Sequence, residues 1–368
     1  MPFTEKELER CTVRKGDLLV CEGGDCGRSA IWTYDEEVCI QNHVHRLRSY
    51  LEISIEYFYH LFYLYKFTGK LRGRGVGIQG LSNEAIHQVI CPLPPLAEQK
   101  RIVEKIEELL PLIDRYEQAW NRLEDFNKRF PVDMQKSILQ MAIQGKLVEQ
   151  RPEEGTGEEL YQQIQAEKKR LIKTGEIKKE KPLPEIAEEE IPFEIPESWK
   201  WVRLRSLGVF SSGKTPTMGV SENWDNGTVS WITSKDMKRK YLNSSEMLIT
   251  EKAASGMKMY PANTILMVVR SGILKRILPV AILSAESTIN QDIKAMSLHM
   301  PIIAEYAYVI LKGMETHILK EYRKQVTTVD SLRFEDFQNM PVPLPPLAEQ
   351  KRIVAKLEEI LPLCERLK

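Results

Sequence analysis

The chain has 368 residues, 52 of them basic and 52 acidic, so its formal net charge at pH 7 is zero. That length allows two or three domains, and the balanced charge by itself indicates no class of partner. The six cysteines fit neither a disulfide framework nor a zinc-ligand spacing, and the longest apolar run, ILMVV, is far too short to span a bilayer. Because the N-terminus also lacks an apolar targeting core, we expect a cytoplasmic protein with free thiols.

The charges are unevenly distributed along the chain. Residues 149–199 contain 14 acidic and 8 basic side chains, whereas residues 200–343 contain 19 basic and 13 acidic ones. The neutral total therefore hides an acidic linker beside a mildly basic domain. A locally basic domain is compatible with contact to nucleic acid.

An aromatic run, YFYHLFYLYKF at residues 57–67, dominates the N-terminal segment. Its helical spacing favours a helix that fills a core, with base stacking on nucleic acid as the alternative. His43 and His45 would share one face of a strand, but no convincing third ligand accompanies them. We therefore expect no metal site there.

Residues 92–116 and 343–367 are two copies of one sequence, identical at 19 of 25 aligned positions. Both copies contain PLPPLAEQKRIV and continue with a helical pattern, so a unit of one domain followed by one helix is duplicated. The apolar residues of each helix alternate at spacings of three and four, which predicts the seam of a coiled coil. These seam residues are Ile102, Ile106, Leu109, Ile113, Tyr116, Trp120 and Leu123 in the first copy, and Ile353, Leu357, Ile360, Cys364 and Leu367 in the second.

Two seams of the same register indicate that the helices pack on each other in antiparallel orientation. The alternative is an amphipathic helix that lies on a globular core. The first helix is expected over residues 96–127, where it would be about 48 Å long, the length of a spacer. Pro111 and Pro362 each remove one backbone donor and are expected to kink the helices.

Two further helices are expected before the second domain. One covers residues 132–148, with Gly145 near its end, and the other is a charged helix capped by Thr156. Residues 180–199 then have the composition of an exposed linker that is interrupted by prolines.

The domains that precede the two repeats also match each other, weakly but in order. The corresponding segments are 16–20 with 263–267, 39–47 with 288–296 and 81–86 with 332–337. The N-terminal domain therefore matches only the second half of the other domain. We therefore expect this domain to lack a counterpart of the other domain's first half.

The repeat, together with SILQMAIQGKLV at 137–148 and IPFEIPESWKWVRL at 191–204, resembles the specificity subunit of type I restriction-modification systems. The resemblance implies an α+β protein with two α/β target-recognition domains, joined and separated by long antiparallel helices. In that family each domain reads one half of a bipartite site in double-stranded DNA. The helices dock two DNA methyltransferase subunits, restriction subunits join indirectly, and the chain itself is not catalytic.

The resemblance also gives the expected domain order and partners. The segments are a partial first recognition domain at 1–91, a helical spacer at 92–150, a charged helix and linker at 151–192, a complete second recognition domain at 193–342 and the start of a second spacer helix at 343–368. No cofactor is expected in this chain, and S-adenosylmethionine is expected in the methyltransferase. Because the first domain and the last helix are short, the alternative is a truncated adaptor, or a half-specificity chain that needs a second chain to read DNA.

Candidate DNA contacts are basic and amide side chains on predicted loops, because basic groups bind phosphates and amides pair with base edges. In the complete domain they are Lys214, Thr215, Ser234, Lys235, Lys238, Arg239, Arg270, Ser271, Lys275, Asn290, Gln291, Lys324 and Gln325. In the shortened domain they are Arg28, Gln41, Asn42, Arg46, Arg72 and Arg74. For each basic cluster, a solvated loop is the alternative.

The stretch GVFSSGKTPTMG at 208–219 matches the G-x-x-x-x-G-K-T pattern of a phosphate-binding loop. Such a loop needs a helix that begins at the Gly-Lys pair, but Pro216 disfavours a helical conformation at Thr215. We therefore interpret the stretch as a turn in which Lys214 contacts a DNA phosphate. Motifs for methyl transfer and for DNA cleavage are not found either, so we expect catalysis in a partner.

Overall fold

The computed structural model of the protein describes residues 4–71, 80–326 and 329–367. It divides into two compact units, Met1–Glu124 and Asp125–Lys368, and the boundary falls inside a helix. Helices and strands contribute to both units, so the predicted α+β class is confirmed. Among the described residues, no helix combines the length and the apolar character that crossing a membrane requires.

In the first unit, short strands and helices precede one long helix. In chain order these elements are α1 (Glu5–Cys11), β1 (Thr12–Val13), β2 (Leu18–Cys21), β3 (Ser29–Ile31), β4 (Val38–Cys39), β5 (Val44–Leu47), α2 (Ile55–Phe67), α3 (Asn83–His87) and α4 (Leu96–Ile143). β2 lies between β3 and β5 in an antiparallel sheet, and β1 pairs with β4.

The aromatic run forms α2, which fills the core of the first unit. The helix begins after Ser54, whose hydroxyl accepts a hydrogen bond from the backbone N–H of Tyr57. Tyr57, Leu61, Phe62 and Tyr65 are buried, in one apolar cluster with residues of β2. The prediction that this run belongs to a core is confirmed.

α4 is a single helix of 48 residues, where the sequence predicted two shorter ones. It continues through Pro111 and Pro131, so the prediction of separate helices at 96–127 and 132–148 was wrong. A proline removes only one hydrogen bond of the helical ladder, and the remaining turns keep the helix in register. The helix ends before Gly145, which adopts a positive φ of 71°.

The second unit contains the C-terminal part of α4 and the remaining elements. In chain order these are α5 (Gly157–Lys173), β6 (Lys200–Arg203), β7 (Gly208–Ser212), β8 (Val229–Ile232), β9 (Tyr241–Leu242), β10 (Leu248–Ile249), α6 (Glu251–Ala254), β11 (Ile265–Val268), β12 (Val280–Leu283), β13 (Thr288–Ile289), β14 (Ile293–Leu298), α7 (Ala304–Gly313), α8 (Glu315–Glu321), β15 (Arg323–Lys324), β16 (Ser331–Leu332), α9 (Phe334–Gln338), β17 (Pro341–Leu344) and α10 (Leu347–Glu365).

A five-stranded sheet of order β7-β14-β11-β12-β9 organises the second unit. Its neighbours are antiparallel except β9, which runs parallel to β12. The sequences ILMV of β11 and VAIL of β12 are buried at every position, as expected for strands covered on both faces. A three-stranded sheet, β10-β8-β13, and the pairs β6-β17 and β15-β16 complete the unit.

The two repeated helices differ in how far their seams are buried. In α10, Ile353, Leu357 and Cys364 are at most 3% exposed and belong to the main apolar cluster of the second unit. In α4, by contrast, Leu109, Ile113, Tyr116, Trp120 and Leu123 are between 42% and 67% exposed. Spacer helices are confirmed, and within the second unit Ile353 and Leu357 of α10 share one apolar cluster with Ile138 of the C-terminal part of α4.

The charged helix α5 begins with the predicted cap. The Thr156 hydroxyl accepts a hydrogen bond from the backbone N–H of Glu159 at 3.2 Å, and the Glu159 carboxylate accepts one from the backbone N–H of Thr156 at 3.0 Å. The prediction of Thr156 as the helix cap is confirmed.

The linker at 180–199 has little regular structure but is tied to the second unit by ion pairs. Glu180 lies 2.9 Å from Lys168 Nζ and 3.0 Å from Arg205 Nη2. Glu190 accepts two hydrogen bonds from the buried guanidinium of Arg203, which lowers the pKa of that carboxyl to about 2. The segment is therefore docked at these carboxylates, which the prediction of an exposed linker did not anticipate.

The strands of the two units pair in the same register. In the first unit Leu18 pairs with Leu47, and in the second unit Ile265 pairs with Met296. These are the same positions under the correspondence of segments 16–20 with 263–267 and 39–47 with 288–296. The sheet β3-β2-β5 thus has the register of β12-β11-β14, which supports the internal match found in the sequence.

Candidate nucleic-acid interface

Several loops of the second unit meet at one edge of its sheets. The loops 213–215, 233–240 and 269–276 follow the C-terminal ends of β7, β8 and β11, and the loop 290–292 precedes the start of β14. β14 pairs with both β7 and β11, and β13 pairs with β8, so the register itself brings these ends together.

The segment 289–292 connects the other loops through backbone hydrogen bonds. Ile289 O accepts from Lys214 N at 3.0 Å, Ile232 O accepts from Asn290 N at 3.0 Å, and Asp292 O accepts from Val269 N at 2.9 Å. Clusters that are up to 80 residues apart in the sequence therefore form one surface, which we call the basic edge.

The hairpin β15-β16 extends the basic edge. Val269 O accepts a hydrogen bond from Leu332 N at 2.9 Å, and Asp330 O accepts one from Ser271 N at 3.0 Å. A cleft of about 520 Å³ lies beside these contacts; it is lined by Lys275, Arg323, Gln325, Val326 and Asp330. The predicted contacts Arg270 and Lys275 are thus neighbours of Lys324 and Gln325, although Thr327 and Thr328 lie outside the described residues.

Gly213 is required by a close approach of two backbones. A Cβ atom at this position would overlap the carbonyl oxygens of Ile289 and Asn290. The Thr215 hydroxyl donates a hydrogen bond to Gln291 Oε1, and Lys214 O accepts one from Trp231 Nε1 at 3.0 Å. Residues 213–220 form no helix, so the structure agrees with a turn and not with a phosphate-binding loop.

Most of the predicted basic side chains on this edge are exposed. They are Lys214, Lys235, Arg239, Arg270, Lys275 and Lys324. Among the described residues, none of these six has an acidic side chain within ion-pair distance. Uncompensated cations on one surface attract a polyanion.

Other predicted contacts serve the fold. Asn290 is only 8% exposed, and its Oδ1 accepts a hydrogen bond from the backbone N–H of Asp292 at 3.2 Å, so it shapes the turn, and its role as a base-reading amide stays a prediction. Ser271 caps a short 3-10 helix through Ile273 N. Lys238 lies 3.5 Å from Glu246 in an exposed ion pair.

The loop 233–240 is shaped by Asp236. Its carboxylate accepts hydrogen bonds from the backbone N–H and the hydroxyl of Thr233 at 2.7 and 2.8 Å, and from Glu246 N at 2.7 Å. These contacts fix the turn that carries Ser234 and Lys235. The sequence analysis selected Ser234 and the cations here but not Asp236, although the short spacing of Thr233 and Asp236 is typical of such a turn.

The candidate DNA contacts chosen from the sequence did not include Lys294 and Lys258. Lys294 pairs with Ser212 across β14 and β7, and its Nζ donates to the Ser212 hydroxyl at 2.5 Å. Lys258 Nζ donates to the Ser211 hydroxyl at 3.2 Å. The signal was present, because Lys294 follows Ile293 in an alternating strand and so faces away from the core.

In the first unit the predicted DNA-binding residues are less concentrated. Arg28, Gln41 and Asn42 are exposed on loops. Arg46 donates from Nη1 to the backbone oxygen of Thr12 at 2.5 Å, so its guanidinium holds the chain next to β1. The remaining two predicted residues, Arg72 and Arg74, lie outside the described residues.

A family model described as type I restriction modification DNA specificity domain matches residues 3–124 and 196–366. The chain belongs to this family. The two matched segments fall in the two units, and the family predicted from the repeated sequence is confirmed.

Individual relatives agree with this assignment. The specificity subunit of the type I restriction enzyme EcoR124I/EcoR124II of Escherichia coli is 38% identical over 162 residues, which cover 44% of this chain and 40% of that protein. The EcoAI specificity subunit of Escherichia coli is 28% identical over 333 residues, covering 75% and 54%. The chain thus spans about half the length of these two relatives.

A solved structure of the HsdS subunit from Thermoanaerobacter tengcongensis aligns with 97% of this chain and 75% of its own. The sequence identity is 18% and the TM-score is 0.44.

Proposed function

We propose that the chain is a DNA-specificity subunit whose second unit binds double-stranded DNA through the basic edge. The observation that carries this proposal is the convergence of loops with exposed cations on the segment 289–292, which forms backbone hydrogen bonds with Lys214, Ile232 and Val269. Cations such as Lys235 and Lys275 contact phosphates, and Gln291, oriented by Thr215, is placed to read a base edge.

The long helix supports a second part of the proposal, the docking of DNA methyltransferase subunits. Large apolar side chains on α4, from Leu109 to Phe130, remain 37% or more exposed. Tyr116 and Trp120 stack with ring centroids 6.2 Å apart and interplanar angle 27°. An exposed apolar surface of this kind marks a protein interface, and aromatic residues are the usual anchors.

The remaining assignments follow from the family. The complex contains two methyltransferase subunits, which bind S-adenosylmethionine, and restriction subunits join indirectly. The chain itself performs no chemistry, and the complete system reads a bipartite target. The smaller first unit favours a second candidate, in which the chain is a helical adaptor or a half-specificity chain that reads DNA only with another chain.

Selection on random-sequence duplexes distinguishes these candidates. The chain is mixed with methyltransferase at moderate salt, and bound duplexes from a mobility-shift gel are sequenced. We expect enrichment of at least one defined half-site. If no sequence is enriched over background, DNA specification by this chain is refuted and the adaptor remains.

Two variants test the basic edge in the same assay. Lys235→Ala combined with Lys275→Ala is expected to weaken binding on all sequences and to reduce the slope of log K against log salt by about 2, one for each phosphate that is no longer neutralised. Lys169→Ala serves as the control, because Lys169 is exposed on α5, away from the ends of β7, β8 and β11. An unchanged slope in the double variant would show that these two lysines do not contact DNA phosphates.

A further inference from the structure

The loop that follows β7 carries two exposed apolar side chains at its tip. Met218 is 60% exposed and Val220 is 42% exposed, and neither belongs to an apolar cluster of the described residues. A Cβ atom added at Gly219, which lies between them, would meet no heavy atom within 4 Å beyond its two chain neighbours. The tip therefore projects from the protein, and its side chains do not contribute to a core.

The backbone that carries this tip is fixed by hydrogen bonds. Thr217 O accepts one from Val220 N at 3.3 Å, which closes a β-turn with Met218 at its first corner. The same oxygen accepts hydrogen bonds from Asn223 Nδ2 and Trp224 Nε1, both at 3.1 Å. These three contacts on one carbonyl oxygen hold the turn, so the side chain of Met218 is presented on a defined support.

Two tryptophans anchor the loop to the rest of the second unit. Trp231 is 4% exposed, and its Nε1 donates to Lys214 O at 3.0 Å. The ring of Trp224 packs on it edge to face, with centroids 5.2 Å apart. Between these two anchor points, the Thr215 hydroxyl donates to Gln291 Oε1. The loop that presents the apolar tip is therefore the one that orients the amide of Gln291.

The surroundings of the tip favour DNA as the molecule that covers it. Lys214, at the base of the same loop, is exposed and belongs to the basic edge, which attracts a polyanion. The apolar group that a base pair displays in the major groove is the C5-methyl of thymine, next to the polar edges that an amide reads. A methionine is unbranched and adapts its shape to such a contact.

We propose that Met218 contacts the C5-methyl group of a thymine in the major groove and so makes the protein prefer thymine at one position of its target. The inference rests on the proposed DNA-binding function and names a residue that determines its specificity. Met218 follows Thr215 by three residues, a span of at most about 10 Å, and successive bases lie about 3.4 Å apart. The thymine therefore lies within about four base pairs of the base that Gln291 reads.

Deoxyuridine tests the proposal, because it lacks only the C5-methyl group of thymidine and pairs with adenine in the same way. The half-site selected by the full chain with methyltransferase is synthesised again with each thymine replaced singly, and Kd is measured by mobility shift at one salt concentration. We expect one replacement to weaken binding about fourfold, which corresponds to about 0.8 kcal/mol for the burial of one methyl group. Its position is expected near the base whose preference Gln291→Ala relaxes.

Variants assign this effect to Met218. Met218→Ala is expected to bind the thymine and deoxyuridine duplexes equally, whereas Met218→Leu keeps an apolar side chain of similar size and is expected to retain the preference. Ile302→Ala is the matched control, because Ile302 is 55% exposed and follows the C-terminal end of β14, at the opposite end of that strand from Gln291. This control is expected to keep the fourfold difference.

The outcomes separate this proposal from DNA binding itself. A selected half-site in which no thymine is sensitive to deoxyuridine overturns the methyl contact, and so does a sensitivity that persists in Met218→Ala. Equal weakening of both duplexes by Met218→Ala also overturns it, since the side chain would then insert between base steps or contact the methyltransferase. In these three cases DNA recognition by the second unit still stands. If no sequence is enriched in the selection, both proposals fail.

Discussion

Replacing Glu349 by alanine is expected to destabilise the second unit by about 2–4 kcal/mol. Glu349 is 2% exposed, and its carboxylate accepts hydrogen bonds from Trp199 Nε1 at 2.9 Å and from Gln150 Nε2 at 2.6 Å. Each buried donor that loses its acceptor costs about 1–3 kcal/mol. Alanine also removes a carboxylate whose pKa is raised by burial, and this relief offsets part of the loss.

The repeated sequence supplies the control for this variant. Glu98 occupies the same position in the first turn of its helix, within the same sequence LAEQKR, but its side chain is exposed. Helix propensity and the interaction with the helix dipole are therefore matched between the two sites. Glu98→Ala is expected to change the free energy of unfolding by no more than about 0.5 kcal/mol.

Scanning calorimetry of the full chain measures both variants. For a unit of this size, 1 kcal/mol corresponds to about 2–4 °C, so Glu349→Ala is expected to lower the melting temperature of the second unit by roughly 4–16 °C. Glu98→Ala is expected to leave both units within about 2 °C of the wild type. Equal losses in the two variants would refute the reasoning, because the effect would then belong to the helix sequence and not to the buried hydrogen bonds.

Two other predictions concern pH and partner binding. Burial lowers the pKa of His299 to about 4, so between pH 6.5 and 4 the unfolded chain binds more protons and the wild type loses stability as pH falls, by on the order of 3 kcal/mol. Urea denaturation at pH 7 and at pH 4.5 measures the free energy of unfolding of both proteins, and in His299→Leu this loss is expected to be absent. If His299→Leu loses as much stability as the wild type, the assignment to His299 is contradicted. Trp120→Ser with Tyr116→Ser is expected to reduce co-purification with methyltransferase without changing the melting temperature, because both side chains are more than half exposed. The control is Gln118→Ser with Arg122→Ser, on the other side of the helix. Equal co-purification of the two double variants with methyltransferase would argue against docking at this seam.

The repeated segment shows both what the sequence predicts and what it cannot. The periodicity of α4 and α10, the cap at Thr156 and the correspondence of the two sheets are local or pairwise patterns, and the structure agrees with them. The sequence PLPPLAEQ, in contrast, begins with a buried strand in one copy and is irregular at the same residues in the other. A strand of four residues is stabilised by the strand that pairs with it, which here is β6. The local sequence alone therefore does not determine this strand.

The basic edge shows the same limit at the level of single side chains. Counting cations on predicted loops selected Lys235, Arg270 and Lys275, and all three are exposed, because exposure follows from loop position. The burial of Asn290 could not be predicted, since it depends on β8, whose Ile232 O accepts a hydrogen bond from Asn290 N. The convergence of the loops on one edge also depends on the pairing of β14 with both β7 and β11, and those pairings join distant parts of the chain.

The two units have a common architecture but differ in what they leave unpaired. The second unit has paired edges beside β14 and β17, it buries Ile353, Leu357 and Cys364 of its helix seam, and its basic edge exposes cations. The described part of the first unit leaves the outer edge of β5 unpaired, beside a cleft lined by apolar side chains such as Leu47 and Phe58 and by the cations Arg46 and Arg48. An open strand edge is a template for one more strand, whereas exposed cations attract a polyanion, so the two units expose different kinds of surface.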